Sequence, residues 1–116
     1  MIHRKSEMNV EYKSNVRGGN GSPEFRHLFS QAELGDRATL FTVITLQPGE
    51  SVGRHPHDTN GEAYLILSGK AMVEEDGTEY ELCVGDAEFC ADGHTHAIRN
   101  HTDEPASFLA LIINDR

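Results

Sequence analysis

The chain has 116 residues, enough for one domain around a single core, and its 19 acidic against 10 basic residues give a formal charge of −9. It carries no basic run that could track a phosphate backbone or an anionic headgroup layer, so neither nucleic acid nor a membrane surface is an expected partner. No apolar stretch approaches the roughly 20 residues of a membrane span, and the start, Met1-Ile2-His3-Arg4-Lys5, lacks the apolar run of a secretory signal, so a cytoplasmic address is expected.

Met8–Tyr12 alternates weakly and reads as an edge strand, and the Gly- and Pro-rich stretch 18–23 reads as a loop. Phe25–Phe29 reads as a strand with Phe25, His27 and Phe29 on one face. Ser30–Gly35 reads as one helical turn, with Ser30 as cap, Glu33 in the capping-box position and Gly35 as the stop. The β-branched run Leu40–Leu46 ends at the turn Gln47-Pro48-Gly49-Glu50. Ala63–Ser68 is a further strand, closing at Gly69. Ala71–Glu75 and Thr78–Leu82 flank Asp76-Gly77, the strongest hairpin signal in the chain. A strand around Ala87–Cys90 leads toward His96, and Ser107–Ile113 completes the set. Many short strands with tight turns and little helix predict an all-β fold, a jelly roll or double-stranded β-helix barrel. Residues 1–35 are expected as a strand-and-loop extension of that barrel and 36–116 as the barrel itself.

Residues 64–67 and 108–113 are apolar at every position, whereas a strand with one wet face alternates. Their outward side chains need cover, from the N-terminal segment or from a partner subunit, and a two-fold homodimer is the expected assembly. Cys83 and Cys90 lie seven apart and are read as two small buried hydrophobes on adjoining strands, ahead of a thiolate ligand or redox pair.

The chemistry concentrates in Gly49-x5-His55-x-His57-x4-Glu62-x6-Gly69. Imidazoles one residue apart project to the same side of an extended strand, and after the turn-like Asp58–Gly61 the Glu62 carboxylate can swing back to the same centre. A fourth ligand, His96, is available in Gly85-x5-Ala91-x-Gly93-x2-His96-x3-Asn100. Three neutral imidazoles and one carboxylate suit a divalent transition metal, with manganese, iron, nickel and zinc all open, better than magnesium or calcium.

These two stretches resemble the paired motifs of the cupin superfamily, small β-barrels with one metal inside, and within it the single-domain, stand-alone cupins. The first motif fits at its glycines, His55, His57, Glu62 and Gly69. The second fits at Gly85, Gly93, His96 and Asn100 but has Ala91 where the family usually has proline, a departure expected to loosen the turn before His96. The motifs span residues 49–100, and Arg17-Gly18-Gly19-Asn20-Gly21 resembles, more weakly, a lead-in of some small members.

The resemblance implies His55, His57, Glu62 and His96 as metal ligands. The metal-site phase turns Tyr64 toward the cavity, where its phenol would face a substrate, and His94, two before His96, is a candidate base; these two are the catalytic candidates. Arg54 and Arg99 point away from the metal by strand parity, and His3, His27 and His101 read as surface or satisfied core histidines. Gly49, Gly69, Gly85 and Gly93 mark turns, and Asn100 is expected to brace a strand end.

An ion with four protein ligands in octahedral geometry keeps two adjacent positions for water or substrate. The expected function is therefore an enzyme acting on a small chelating, oxygen-bearing molecule, with the metal as Lewis acid or oxygen site. The resemblance implies the menu of dioxygenase, decarboxylase, isomerase or lyase. The alternative is a non-catalytic module that binds or senses a sugar or organic acid, and tight binding without turnover would single it out.

Overall fold

A computed structural model of the chain describes residues 1–115. Ten antiparallel strands form two sheets: β1 (Asn9–Tyr12), β2 (Glu24–His27), β3 (Ala38–Leu46), β4 (Ser51–Pro56), β5 (Asn60–Ser68), β6 (Ala71–Glu75), β7 (Thr78–Leu82), β8 (Ala87–Cys90), β9 (Thr95–Arg99) and β10 (Ala106–Asn114). One sheet runs in the order β1-β2-β3-β10-β5-β8 and the other β4-β9-β6-β7. This is the all-β, double-stranded β-helix architecture expected from the sequence. Among the described residues no helix is long and apolar enough to cross a membrane.

The core lies between the sheets. Leu46, Ile66 and Phe108 point inward, each at most 1 % exposed, and burying a side chain of that size stabilises the fold by about 1.5–3 kcal/mol. On β3 the period of two is plain: Thr42, Ile44 and Leu46 are buried and Val43 and Thr45 are half-buried on the other face. The single-turn helix α1 (Gln31–Leu34) forms as its capping box predicts. The Ser30 hydroxyl accepts from the Glu33 N–H at 3.2 Å, and the Glu33 carboxylate accepts from the Ser30 N–H at 2.8 Å. At the β6–β7 hairpin Asp76 and Gly77 both take positive φ, 49° and 91°, as the Asp-Gly signal requires.

Several expectations are corrected. The strand at 25–29 ends at His27, and Phe29 packs instead against Phe41, ring centroids 5.9 Å apart. The turn-like Asn60-Gly61 belongs to β5, paired with Asn114 and Ile113. Cys83 is exposed, because it follows the end of β7 in a turn whose N–H is taken by the Asp86 carboxylate at 2.8 Å; Cys90 is buried. The turn after Ala91 is not loosened: the His94 N–H closes it on the Ala91 carbonyl at 3.1 Å, and Gly93 N–H donates to the His57 carbonyl at 2.8 Å. Proline is not needed to hold it.

The apolar strands β5 and β10 are neighbours at the centre of the larger sheet. Their inward face is core, while outward Leu67 and Ile113, with Phe89 of β8, are 42–50 % exposed. β1 and β2 extend this sheet edgewise beyond β3 rather than folding across β5.

Candidate metal centre

β4 places two histidines through a register shift between Val52 and His55 in its pairing with β9. A bulge of this kind resets the inward phase, so Val52, His55 and His57 all face the barrel interior while Arg54 turns out to an ion pair with Glu74. His96 on β9 sits directly opposite His55. Glu62 comes from the other sheet, on β5. The cluster thus ties the two layers together at one end of the core, and all four residues are at most 5 % exposed.

Each imidazole has its Nδ1 beside an oxygen: His55 beside the Gly53 carbonyl at 2.7 Å, His57 beside the Asn60 side-chain oxygen at 2.8 Å, and His96 beside the Glu88 carboxylate at 2.9 Å. An Nδ1–H that donates to such an acceptor leaves Nε2 as a bare lone pair. The three Nε2 atoms and one Glu62 oxygen then crowd together. Glu62 Oε1 is 3.2, 3.1 and 2.9 Å from His55, His57 and His96, and His96 Nε2 is 3.0 Å from His55 and 3.1 Å from His57. Four acceptors with no hydrogen to share repel one another unless a cation lies among them.

The spacing can be set against the two common coordination geometries. Bonds of about 2.1 Å at right angles set neighbouring ligand atoms about 3.0 Å apart, whereas a tetrahedron needs about 3.4 Å. Four ligands leaving two adjacent octahedral positions open make five close pairs and one opposed pair. Five pairs fall at 2.9–3.2 Å, and the sixth, His55 with His57, is bridged through Glu62 and His96, all four atoms lying within 4.8 Å of one another. His55, His57, Glu62 and His96 are therefore a group that could hold one metal ion.

Electrostatics agree with that reading. Burial opposes charge on Glu62, but the three imidazoles around it, with the charge of a protonated His96 adding, outweigh it and hold the carboxyl well below its usual range. Burial likewise opposes charge on His96, yet its bonds to Glu62 and Glu88 carry it up to about 9, so without a metal a proton takes the place of the cation. Glu88, Cys90 and His96 form a second possible ligand group. Burial, with nearby carboxylates adding, pushes the Cys90 thiol up to about 12, so it stays protonated and is a poor ligand.

Tyr64 is fully buried beside the cluster, its ring stacked on His96 with centroids 4.6 Å apart and planes within 8°. Burial and the charges of Glu62 and Glu88 hold its phenol far above the usual range, so it is neutral. His94 is not brought to the cluster. Its carbonyl accepts from the His57 N–H, but its ring is exposed and bonded to Asp76 at 2.6 Å. Asn100 does brace a strand end, donating to the Leu46 and Glu104 carbonyls and accepting from Thr102. Glu88 and Asn60, which orient His96 and His57, were not singled out by the sequence. Strand parity puts Glu88 on the face of Cys90, but its meeting with His96 depends on how the strands assemble.

A cavity of about 230 Å³ opens onto His55, His57, Glu62 and Tyr64. A larger groove of about 420 Å³ lies outside the barrel between the N-terminal residues and α1 and does not reach the cluster.

Comparison with known proteins agrees with the fold. The sequence profile of the cupin domain matches residues 42–112. An oxalate-binding protein of Thermotoga maritima is 39 % identical over 113 residues, covering 97 % of this chain and 93 % of that protein. The crystal structure of a predicted oxalate decarboxylase from Thermotoga maritima superposes with a TM-score of 0.94 at 38 % identity, covering 98 % of this chain and 99 % of the other. The structure of a putative sugar phosphate isomerase from Acidithiobacillus ferrooxidans, at 23 % identity and a TM-score of 0.70 over 80 % of this chain and 60 % of that one, shares the fold alone. The chain belongs to the cupin family.

Proposed function

We propose that His55, His57, Glu62 and His96 bind one divalent transition metal ion and that the site captures a small chelating oxyacid, with oxalate the first candidate. The observation that carries this is the crowding of four acceptor atoms, five of their six pairs at 2.9–3.2 Å, which is compatible with an octahedron open on two adjacent sides. That shape favours manganese, iron or nickel over zinc, which prefers a tetrahedron. Bound there, the ion supplies a Lewis acid. The chain's residues supply the rest. One carboxylate and three neutral imidazoles leave a divalent site with surplus positive charge, which favours an anionic chelator. Tyr64 offers a neutral phenol at the cavity wall as a hydrogen-bond donor to a ligand oxygen. Taking the liquid share of about 30 Å³ per water, the cavity of about 230 Å³ accepts a molecule of a few carbons. The names of the Thermotoga maritima relatives support the choice of oxalate.

Turnover of the same ligand is the second reading, favoured by apolar walls from Val52, Ile44 and Ile112 that strip water from a bound carboxylate. The test is elemental analysis of protein purified without added metal, then calorimetric titration of the loaded protein with oxalate and assay for formate and carbon dioxide. Binding without products identifies a binding module, and products identify a decarboxylase. Failure to retain any transition metal would sink the proposal.

A further inference from the structure

The cavity over the candidate metal centre is lined on one side by the segment before β2, which lies outside the two metal motifs. Lys13 and Arg17 both line it, and among the described residues Glu62 is the one acidic side chain in its wall. In a chain with 19 acidic and 10 basic residues, two cations at one mouth stand against the general trend. Lys13 is partly committed, at 3.6 Å from Glu11 and 4.7 Å above the Phe25 ring. Arg17 makes no ion pair among the described residues, and it is exposed at the mouth beside Val16 and Leu40, free to meet an incoming charge.

Arg17 is also held there by its backbone. It adopts a left-handed conformation, φ 53° and ψ 32°, which non-glycine residues adopt uncommonly. The turn is tied by Gly18 N–H to the Asn15 carbonyl at 3.0 Å, Gly19 N–H to the Val16 carbonyl at 2.9 Å, and the Asn15 amide to the Gly19 carbonyl at 3.0 Å. It lies directly on the β4 bulge: a methyl group on Gly53 would collide with the Arg17 carbonyl, and one on Gly19 with the Ser51 carbonyl. The bulge that aims His55 and His57 inward is therefore the surface on which Arg17 is seated.

We propose that Arg17 is a specificity-determining residue that selects dianionic ligands for this cavity, pairing its guanidinium with the carboxylate oxygens a chelated dicarboxylate turns outward, with Lys13 adding to the attraction. This rests on the proposed function and narrows it from oxyacids in general to dicarboxylates. A dicarboxylate that chelates through one oxygen of each group leaves two oxygens side by side, which the planar fork of an arginine matches and a lysine does not.

The test uses the full chain loaded with Mn(II), titrated calorimetrically with oxalate and with acetohydroxamate, a chelator that presents no second carboxylate. Arg17→Gln and Arg17→Gly are compared with the unaltered protein; glycine suits the left-handed backbone, so that variant keeps the turn. Loss of a charge-assisted pair should weaken oxalate roughly tenfold or more in both variants. Acetohydroxamate should change less than twofold, and Mn(II) affinity in competition with a chromophoric chelator should not change. Oxalate binding within twofold of the unaltered protein, or equal losses for both ligands, would overturn the assignment of Arg17 while leaving the proposed function standing. If the unaltered protein binds Mn(II) but neither ligand, the proposed function falls and this inference with it.

Discussion

Stripping the metal should invert the dependence of stability on pH. Without an ion, the buried His96 is the group that carries positive charge into the cluster, and its pKa is raised from 6.5 to about 9. A group whose folded pKa is raised contributes stability that is fully present below its unfolded pKa and is lost as pH rises through the folded one. The window is therefore pH 6.5 to about 9, with a decline of about 1.4 kcal/mol per pH unit and a total of about 3 kcal/mol. Glu62 shares the same proton network, so its own shift is not added. The loaded protein should behave oppositely, because binding needs neutral imidazoles and protons displace the ion as pH falls. Urea denaturation of chelator-treated and Mn(II)-saturated protein at half-unit steps from pH 6 to 10 measures both slopes. His96→Gln should abolish the decline in the chelated form. A chelated protein whose stability stays level or rises between pH 7 and 9 would refute the idea that His96 and Glu62 hold a proton where a metal belongs.

Replacing His57 by glutamine should weaken metal affinity by at least tenfold and make its pH dependence shallower by one proton, whereas His101→Gln, at a ring bonded to Glu81, should do neither; equal metal loss from both, measured by competition with a chromophoric chelator, would show the ligands are wrongly assigned. Asn100→Ala removes hydrogen bonds to Leu46, Glu104 and Thr102 in a buried corner and should cost about 2–4 kcal/mol in urea denaturation; a loss below about 0.5 kcal/mol would mean the strand end does not depend on it. We propose a two-fold dimer through the outward face of β5 and β10. Sedimentation at micromolar concentration should give twice the 12.8 kDa chain mass, and Leu109→Glu should give half that; a monomeric unaltered protein would count against the dimer.

Much of this was legible beforehand where one short segment decides the outcome. The Ser30–Glu33 capping box, the Asp76-Gly77 hairpin and the positive φ at Gly49, Gly69, Gly85 and Gly93 are local events, and the residues that need them are those present. Convergence of His55, His57, Glu62 and His96 was also readable, since three of them fall within eight residues on one strand-turn-strand unit. What escaped depends on register between distant segments. β4 and β9 were not delimited, because Gly53 and Pro56 break the strand signal and the bulge hides the alternation. Glu88 meets His96 only because β8 lies at the open edge of one sheet while β9 sits inside the other. Cys83 looked like a core residue by type, and its burial was settled by one residue's distance from the end of β7.

Glu88 also shows why four donors in a motif do not by themselves make a cation site. An imidazole free to choose its tautomer could turn an N–H toward the centre, and the cluster would then satisfy itself with hydrogen bonds and need no ion. Here each Nδ1 has a fixed oxygen: a backbone carbonyl for His55, an amide oxygen for His57 and a carboxylate for His96. These three partners lie on β4, β5 and β8, so the folded barrel as a whole, rather than either motif, keeps the Nε2 lone pairs aimed inward. The same bulge that supplies the Gly53 carbonyl to His55 seats Arg17 at the mouth. If the proposed ion binds, it and the outer charge are set from one piece of backbone, and the proposed ligand that bridges them would be short, chelating and negative at its far end.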